Sequence, residues 1–343
     1  MKMSDAEKTK QLRKEVAPFA KSERNKSTLQ MINTILPLLV IWGLGYTVVQ
    51  FSPWLAVACS VLASAFVVRT FIIFHDCTHG SFFKNKKAND ILGNITGILT
   101  SFPYSKWRRE HLIHHASSGN LDKRGIGDID MLTVDEYLAK SKLGRLAYRI
   151  YRNPLVMFGL GPIYLVLVLN RFNSKDAKKK ERMNTYFNNI MMLLICAALI
   201  YFFGWTSFLL VHGVTIFIAG SLGIWLFYIQ HTYEDSYFEY DPEWDFVKAA
   251  VEGSSFYKLP KVLQWVTGNI GYHHVHHLAP RVPNYNLEEA HKSIPPLQKA
   301  TTITLRTSLE SIRYKLYDPN QKRFVSFKEV EKKVRVKNKS IHA

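Results

Sequence analysis

Four predominantly apolar runs dominate the chain: Ile32–Phe51, Trp54–Phe74, Phe187–Trp205 and Ser207–Ile229. Each is long enough to cross a bilayer as a helix, which takes about 20 residues. Only Ser52 and Pro53 separate the first two runs, and only Thr206 separates the last two, so the pattern predicts two tight transmembrane hairpins. Two further apolar stretches, Ile91–Phe102 and Leu155–Leu169, are short or interrupted by Pro162 and read as interfacial or re-entrant helices. The expected fold is an all-α integral membrane protein, with two helical hairpins, interfacial helices and a polar cap on one side.

Charge decides which side. The chain has 343 residues and is 47% hydrophobic, yet it carries 45 Lys and Arg against 27 Asp and Glu, a net charge of +18. Residues 1–30 hold eight of the basic residues and the segment Arg171–Arg182 six, whereas the two hairpin turns hold none. The positive-inside rule then places both termini and the middle region in the cytoplasm. Treating Leu155–Leu169 as a span would put the Arg171–Arg182 cluster outside, against that rule. A buried-core reading of the four runs is disfavoured because they arrive as two hairpins with consistent charge flanks. The polar stretch before the first run is too long for a cleavable signal peptide and fits a signal anchor. Arg69 lies inside the second run near its cytoplasmic end, where a topological and a functional role are both open. The chain divides into a basic N-terminal segment (1–30), a catalytic domain (31–315) and a basic tail (316–343). The tail segment Lys322–Lys339 has eight cations against Glu329 and Glu331, suited to anionic lipid headgroups or an acidic electron carrier. Nucleic acid is not expected, since no recognition fold accompanies the charge. Cys59, Cys77 and Cys196 form no disulfide framework.

The histidines carry the chemistry. Three boxes stand out: His75-Asp76-Cys77-Thr78-His79, His111-Leu112-Ile113-His114-His115 and His273-His274-Val275-His276-His277. On a helix, positions i, i+3 and i+4 share a face, so His75 and His79 point together, as do His111, His114 and His115, and His273, His276 and His277. His274 is turned about 100° from His273 and points elsewhere. Neutral imidazole is the common ligand of iron, copper and zinc. These eight, with His231 after the fourth run, exceed one coordination sphere and imply two metals. A zinc hydrolase needs about three ligands, and a soluble di-iron carboxylate protein needs two Glu-x2-His repeats, of which only Glu288 to His291 occurs. His212 reads as a hydrogen-bonded packing residue, and His291 and His342 as solvated. Asp76, Asp128, Glu234 and Asp235 are candidate partners for ligand N–H groups.

With these boxes in this order around two hairpins, residues 30–315 resemble the membrane fatty acid desaturases. The stretches Phe71–Phe83, Ser118–Leu132, Leu226–Tyr237 and Val251–Pro283 resemble in particular the Bacillus-type acyl-lipid delta-5 branch. The resemblance implies a di-iron centre ligated by His75, His79, His111, His114, His115, His231, His273, His276 and His277. It also implies O2 as oxidant, acyl chains of membrane phospholipids as substrate, ferredoxin or flavodoxin as electron donor, and a bacterial cell membrane as location. The sequence departs from some animal relatives at Phe227, where those carry an Asn four residues before the lone His. Removing hydrogen from unactivated methylenes is beyond any side-chain base, which agrees with a metal and O2 chemistry.

Two rival classes remain at this point. A membrane di-iron hydroxylase of an apolar substrate would share the boxes, and its product would carry a hydroxyl instead of a double bond. A metal transporter would place its ligands near the middle of its spans rather than at their cytoplasmic ends. Regiochemistry, the identity of the reductant and oligomeric state are not encoded in any recognisable motif.

Overall fold

Helix starts and stops in the first hairpin explain how its histidines reach the site. The computed structural model describes residues 5–341. Helix α1 (Asp5–Val16) leads to α2 (Arg24–Val48) and α3 (Pro53–His79). Ser52 caps α3 by accepting from the Leu55 N–H at 3.4 Å, with Pro53 in the first turn where its missing N–H costs nothing. Gly80, at φ 66°, ends the helix in the left-handed conformation that glycine adopts without strain. The helix therefore runs unbroken through the first box, so that His75 and His79 occupy its last two turns instead of lying beyond the span.

Helices α4 (Lys86–Thr100), α5 (Tyr104–Ser117) and α6 (Lys142–Tyr151) follow, and then the second hairpin, α7 (Lys179–Phe203) and α8 (Trp205–His231). Among the described residues four helices, α2, α3, α7 and α8, are long and apolar enough to cross a membrane. Their roles differ: the most apolar window of α3 is 56% buried, that of α7 only 6%, so α3 is the central post and α7 turns its side chains outward. A π-helical turn, Leu209–Gly213, interrupts α8. Its carbonyls find a partner across the interface, where the Ser60 hydroxyl lies 2.8 Å from the Leu210 oxygen and 3.1 Å from that of Val211. Residues Val156–Arg171 form a broken helical unit bent 59° from α6, a geometry shared by broken spans and re-entrant segments. Lys106 of α5 pins it by donating to the Phe172 carbonyl at 3.0 Å.

The cap is built from short pieces. Helices α9 (Lys261–Val266), α10 (His273–Leu278) and α11 (Leu287–Ser293) carry most of it. Strand β2 (Phe256–Lys258) pairs in parallel with β3 (Thr302–Thr304), while β4 (Leu316–Asp318) lies between β1 (Leu132–Thr133) and β5 (Arg323–Val325). Gly271 lets β2 come close enough for Tyr257 N–H to donate to its carbonyl at 2.7 Å, since a Cβ there would stand 2.5 Å from the Tyr257 oxygen. That contact fixes the entry of α10. Its apolar side, Val275 and Leu278, packs with Val282, Leu287 and Leu297.

Candidate metal centre

Four elements bring the histidines together: the end of α3, the C-terminal half of α5, the last residue of α8 and the whole of α10. All nine assemble into two groups. His75, His79, His111, His115 and His276 form one, and His114, His231, His273 and His277 the other, each contributing a ring nitrogen within 4.8 Å of the rest of its group. The groups adjoin, with the rings of His115 and His277 stacked at 4.2 Å.

Proton placement shows what the groups are suited to hold. His231 Nδ1 lies 3.0 Å from the Gly253 carbonyl, His75 Nδ1 3.3 Å from Asp76 Oδ1, and His114 Nδ1 against Asp128. A carbonyl only accepts, and an ionised carboxylate likewise, so these contacts put the ring proton on Nδ1 and leave Nε2 as a bare lone pair. Those lone pairs converge. His115 Nε2 lies 3.0 Å from Nε2 of both His111 and His276, and His273 Nε2 lies 3.0 Å from Nε2 of both His231 and His277. One N–H cannot serve two acceptors well, and Nε2 of His79 and of His114 is buried with no hydrogen-bond partner among the described residues. Two clusters of inward-facing imidazole nitrogens are a donor set suited to binding transition metal. Burial, followed by the neighbouring imidazoles, pushes the protonation of His111, His115, His273, His276 and His277 well below the usual value, which keeps them neutral and able to ligate.

The supports come from close local folding. Gly127, at φ 75°, sits so near α5 that a Cβ would stand 2.7 Å from the Glu110 oxygen, and this approach delivers Asp128 to His114. Burial opposes the Asp128 charge, but His114 outweighs it and holds the carboxyl below its usual range. Asp76 is held from the other side by Asn284, whose backbone N–H and side-chain amide donate to Oδ2 at 2.7 and 2.8 Å. Trp107, one turn before His111, stacks on its ring at 4.2 Å. Phe227 packs against His114 and His231, at 5.1 and 5.4 Å between ring centres, so the departure at this position leaves His231 in its group.

Several expectations need correcting. Glu234 bonds to Tyr314 and Arg323 and Asp235 is exposed, so neither supports a histidine. His291 is half-buried rather than solvated, its Nδ1 3.0 Å from His274 Nε2; the same contact turns His274 away from both groups, as its helical position predicts. His212 does pack in its span, between Trp42 and Phe208, through ring contacts without a hydrogen bond among the described residues. His342 lies outside the described residues. Sequence spacing gives no sign of Asn284 or of the Gly253 carbonyl, whereas Trp107, four residues before His111, lies on the same helical face as that ring.

A family model described as fatty acid desaturase matches residues 52–308. The chain belongs to the fatty acid desaturase family. A fatty acid desaturase of Bacillus subtilis (strain 168) is 58% identical over 326 residues, 95% of this chain and 93% of the relative. The chloroplastic omega-6 fatty acid desaturase of Arabidopsis thaliana is 28% identical over 278 residues, 78% of this chain and 59% of the plant protein. The sn-1 oleoyl-lipid 12-desaturase of Anabaena variabilis is 24% identical over 266 residues, 75% of this chain and 73% of the relative. The desaturase is thus a membrane oxidoreductase acting on fatty acyl chains, and its histidine groups are placed to bind metal.

Proposed function

We propose that this desaturase introduces a cis double bond at delta-5 into saturated acyl chains of membrane phospholipids, consuming O2 and electrons from ferredoxin or flavodoxin. In this reading two irons are held by His75, His79, His111, His115 and His276 on one side and by His114, His231, His273 and His277 on the other. The observation that carries it is the pair of proton-poor imidazole clusters at the junction of α3, α5, α8 and α10. When bound, the irons supply the O2 chemistry that unactivated methylenes require. The chain's own residues do the rest. Asp76 and Asp128 hold the protons of His75 and His114 on Nδ1 and fix their rings. Trp107 stacks on His111 and Phe227 packs against His114, which hold those rings in place.

The delta-5 assignment rests on the likeness of stretches 71–83, 118–132, 226–237 and 251–283. A plasma-membrane location with the histidines and both termini in the cytoplasm rests on the basic residues of 1–30 and 171–182, and the same side would receive the reduced carrier and face anionic headgroups. The reading also keeps 31–315 as the catalytic domain, between the two basic segments. Expression in a bacterial host lacking desaturases, followed by mass spectrometry of the lipids, tests it. A new double bond near the carboxyl end, formed in air and absent under strict anoxia, is expected. A new hydroxyl would instead make the enzyme a hydroxylase, and equal product without O2 would refute the oxidative chemistry.

A further inference from the structure

Arg69 is 6% exposed within α3, six residues before His75. It does not reach for the surface. Its Nε donates to Thr34 Oγ1 at 3.0 Å, its Nη1 to the Trp265 carbonyl, and its guanidinium carbon lies 4.0 Å over the Trp265 ring. All of these partners are neutral, and among the described residues no carboxylate pairs with it. A fixed, buried cation without a counter-charge costs stability unless an anion completes it.

That guanidinium lines a cavity of about 340 Å³ between α2, α9 and the start of α11. The size suits the head and glycerol of one lipid. Lys26 in the first turn of α2 and Lys261 in the first turn of α9 stand at its rim, each engaged with a carboxylate at 2.6 Å, Glu23 and Glu288 respectively. Beside these charges the wall exposes Leu29 at 64% and Trp265 at 41%, the pairing of apolar body and polar edge that suits a membrane surface. The same wall reaches the metal centre. Gln30 Nε2 donates to Asn284 Oδ1 at 3.0 Å, Asn284 donates to Asp76, and Asp76 holds His75.

We propose that this cavity binds the phosphate of a glycerophospholipid headgroup on Arg69, with Lys26 and Lys261 at the rim, and so positions the substrate's ester end beside the histidines. The inference rests on the acyl-lipid reading and adds to it where the lipid is gripped. Arg69 and His75 are separated along the helix by about 9 Å at 1.5 Å per residue, so a headgroup held there leaves only the carboxyl end of the chain within reach of the metals. Free phosphate offers the same oxygens, and the test separates the two sources.

The full-length, metal-loaded protein in detergent is titrated with dipalmitoyl phosphatidylglycerol, with dipalmitoylglycerol, which lacks the phosphate, and with inorganic phosphate, with retention read by native mass spectrometry. Phosphatidylglycerol is expected to bind at least about tenfold tighter than either comparison ligand, and Arg69→Gln to lose at least about tenfold of that with metal content unchanged. The Lys26→Gln/Lys261→Gln double variant, which leaves the helix-bridging contacts of Arg69 intact, should lose about two- to fivefold. Equal retention of dipalmitoylglycerol, or full retention by Arg69→Gln, overturns the site, and inorganic phosphate binding as tightly as the lipid overturns the lipid headgroup as its ligand. Should Arg69→Gln fail to accumulate, unchanged affinity in the double variant overturns the site on its own. Product analysis of the same wild-type cells keeps the readings apart. Lipid retention without any double bond refutes desaturation, whereas double bonds without a phosphate preference refute only the headgroup site.

Discussion

The two imidazole groups differ in number and in what holds them. The five-membered group is anchored on α3, the most buried of the four long helices, and its Asp76 support is itself clamped by two Asn284 donors. The four-membered group hangs on the last residue of α8 and on a loop carboxylate, Asp128. It also lines a cavity that runs from His114 and His231 past Asp128 to Arg124 and Arg152. One group is thus larger and doubly clamped through Asp76, while the other has one imidazole fewer and borders that cavity. The inequality teaches that the two groups are not a symmetric pair: a metal held by the second would be the one with room beside it for an exogenous ligand.

Removing a ligand from either group breaks the comparison most sharply. His276→Ala in the first group and His277→Ala in the second should each leave essentially no unsaturated lipid in a gas-chromatographic profile at matched membrane expression. Retained activity in one alone would show that its group is dispensable. His231→Ala should strip the four-membered group first, seen as loss of one of two Mössbauer signals from protein grown on iron-57.

Changing the supports sharpens it. Asp128→Asn and Asp76→Asn should each lower activity about 10- to 100-fold, the usual cost of losing a ligand's hydrogen-bond partner. The metal of the four-membered group should leave first in Asp128→Asn, because a single Gly125 N–H at 3.2 Å backs Asp128, where two Asn284 donors back Asp76. If Asp76→Asn sheds metal as readily, the difference in support between the two groups fails as an explanation. His274→Ala, facing His291, should keep a measurable product fraction, with a loss of about tenfold or less. Complete loss there would make His274 a ligand.

The smallest effect concerns pH. In the metal-free protein the buried imidazoles of His111, His115, His273, His276 and His277 stay neutral while their unfolded counterparts titrate near 6.5. The unfolded state then binds more protons as acidity rises, so stability present above pH 6.5 is lost on going below it. Thermal unfolding of the chelated protein should move to lower temperature between pH 7 and 5, and a flat profile would mean that the rings protonate in the fold.

Much of this was legible in the sequence, for a physical reason. Spans announce themselves through apolar length, and His75/His79, His111/His114/His115 and His273/His276/His277 through helical periodicity, because both depend on residues close in the chain. The extension of α3 through His79 was less legible, since polar box residues mask a helix that Gly80 alone terminates. The π turn of α8 depends on Ser60, on another helix, and Asn284 reaches Asp76 from 208 residues away. Glu234 looked equivalent to Asp128 in sequence, and only the fold of the 118–131 loop against α5, permitted by Gly127, separates them.

The most direct test of the central claim is a metal count on protein whose desaturase activity is scored in the same sample. Nine converging imidazoles predict about two irons per active chain, with activity lost on chelation and restored with iron. One zinc and no iron, with activity retained, would contradict it.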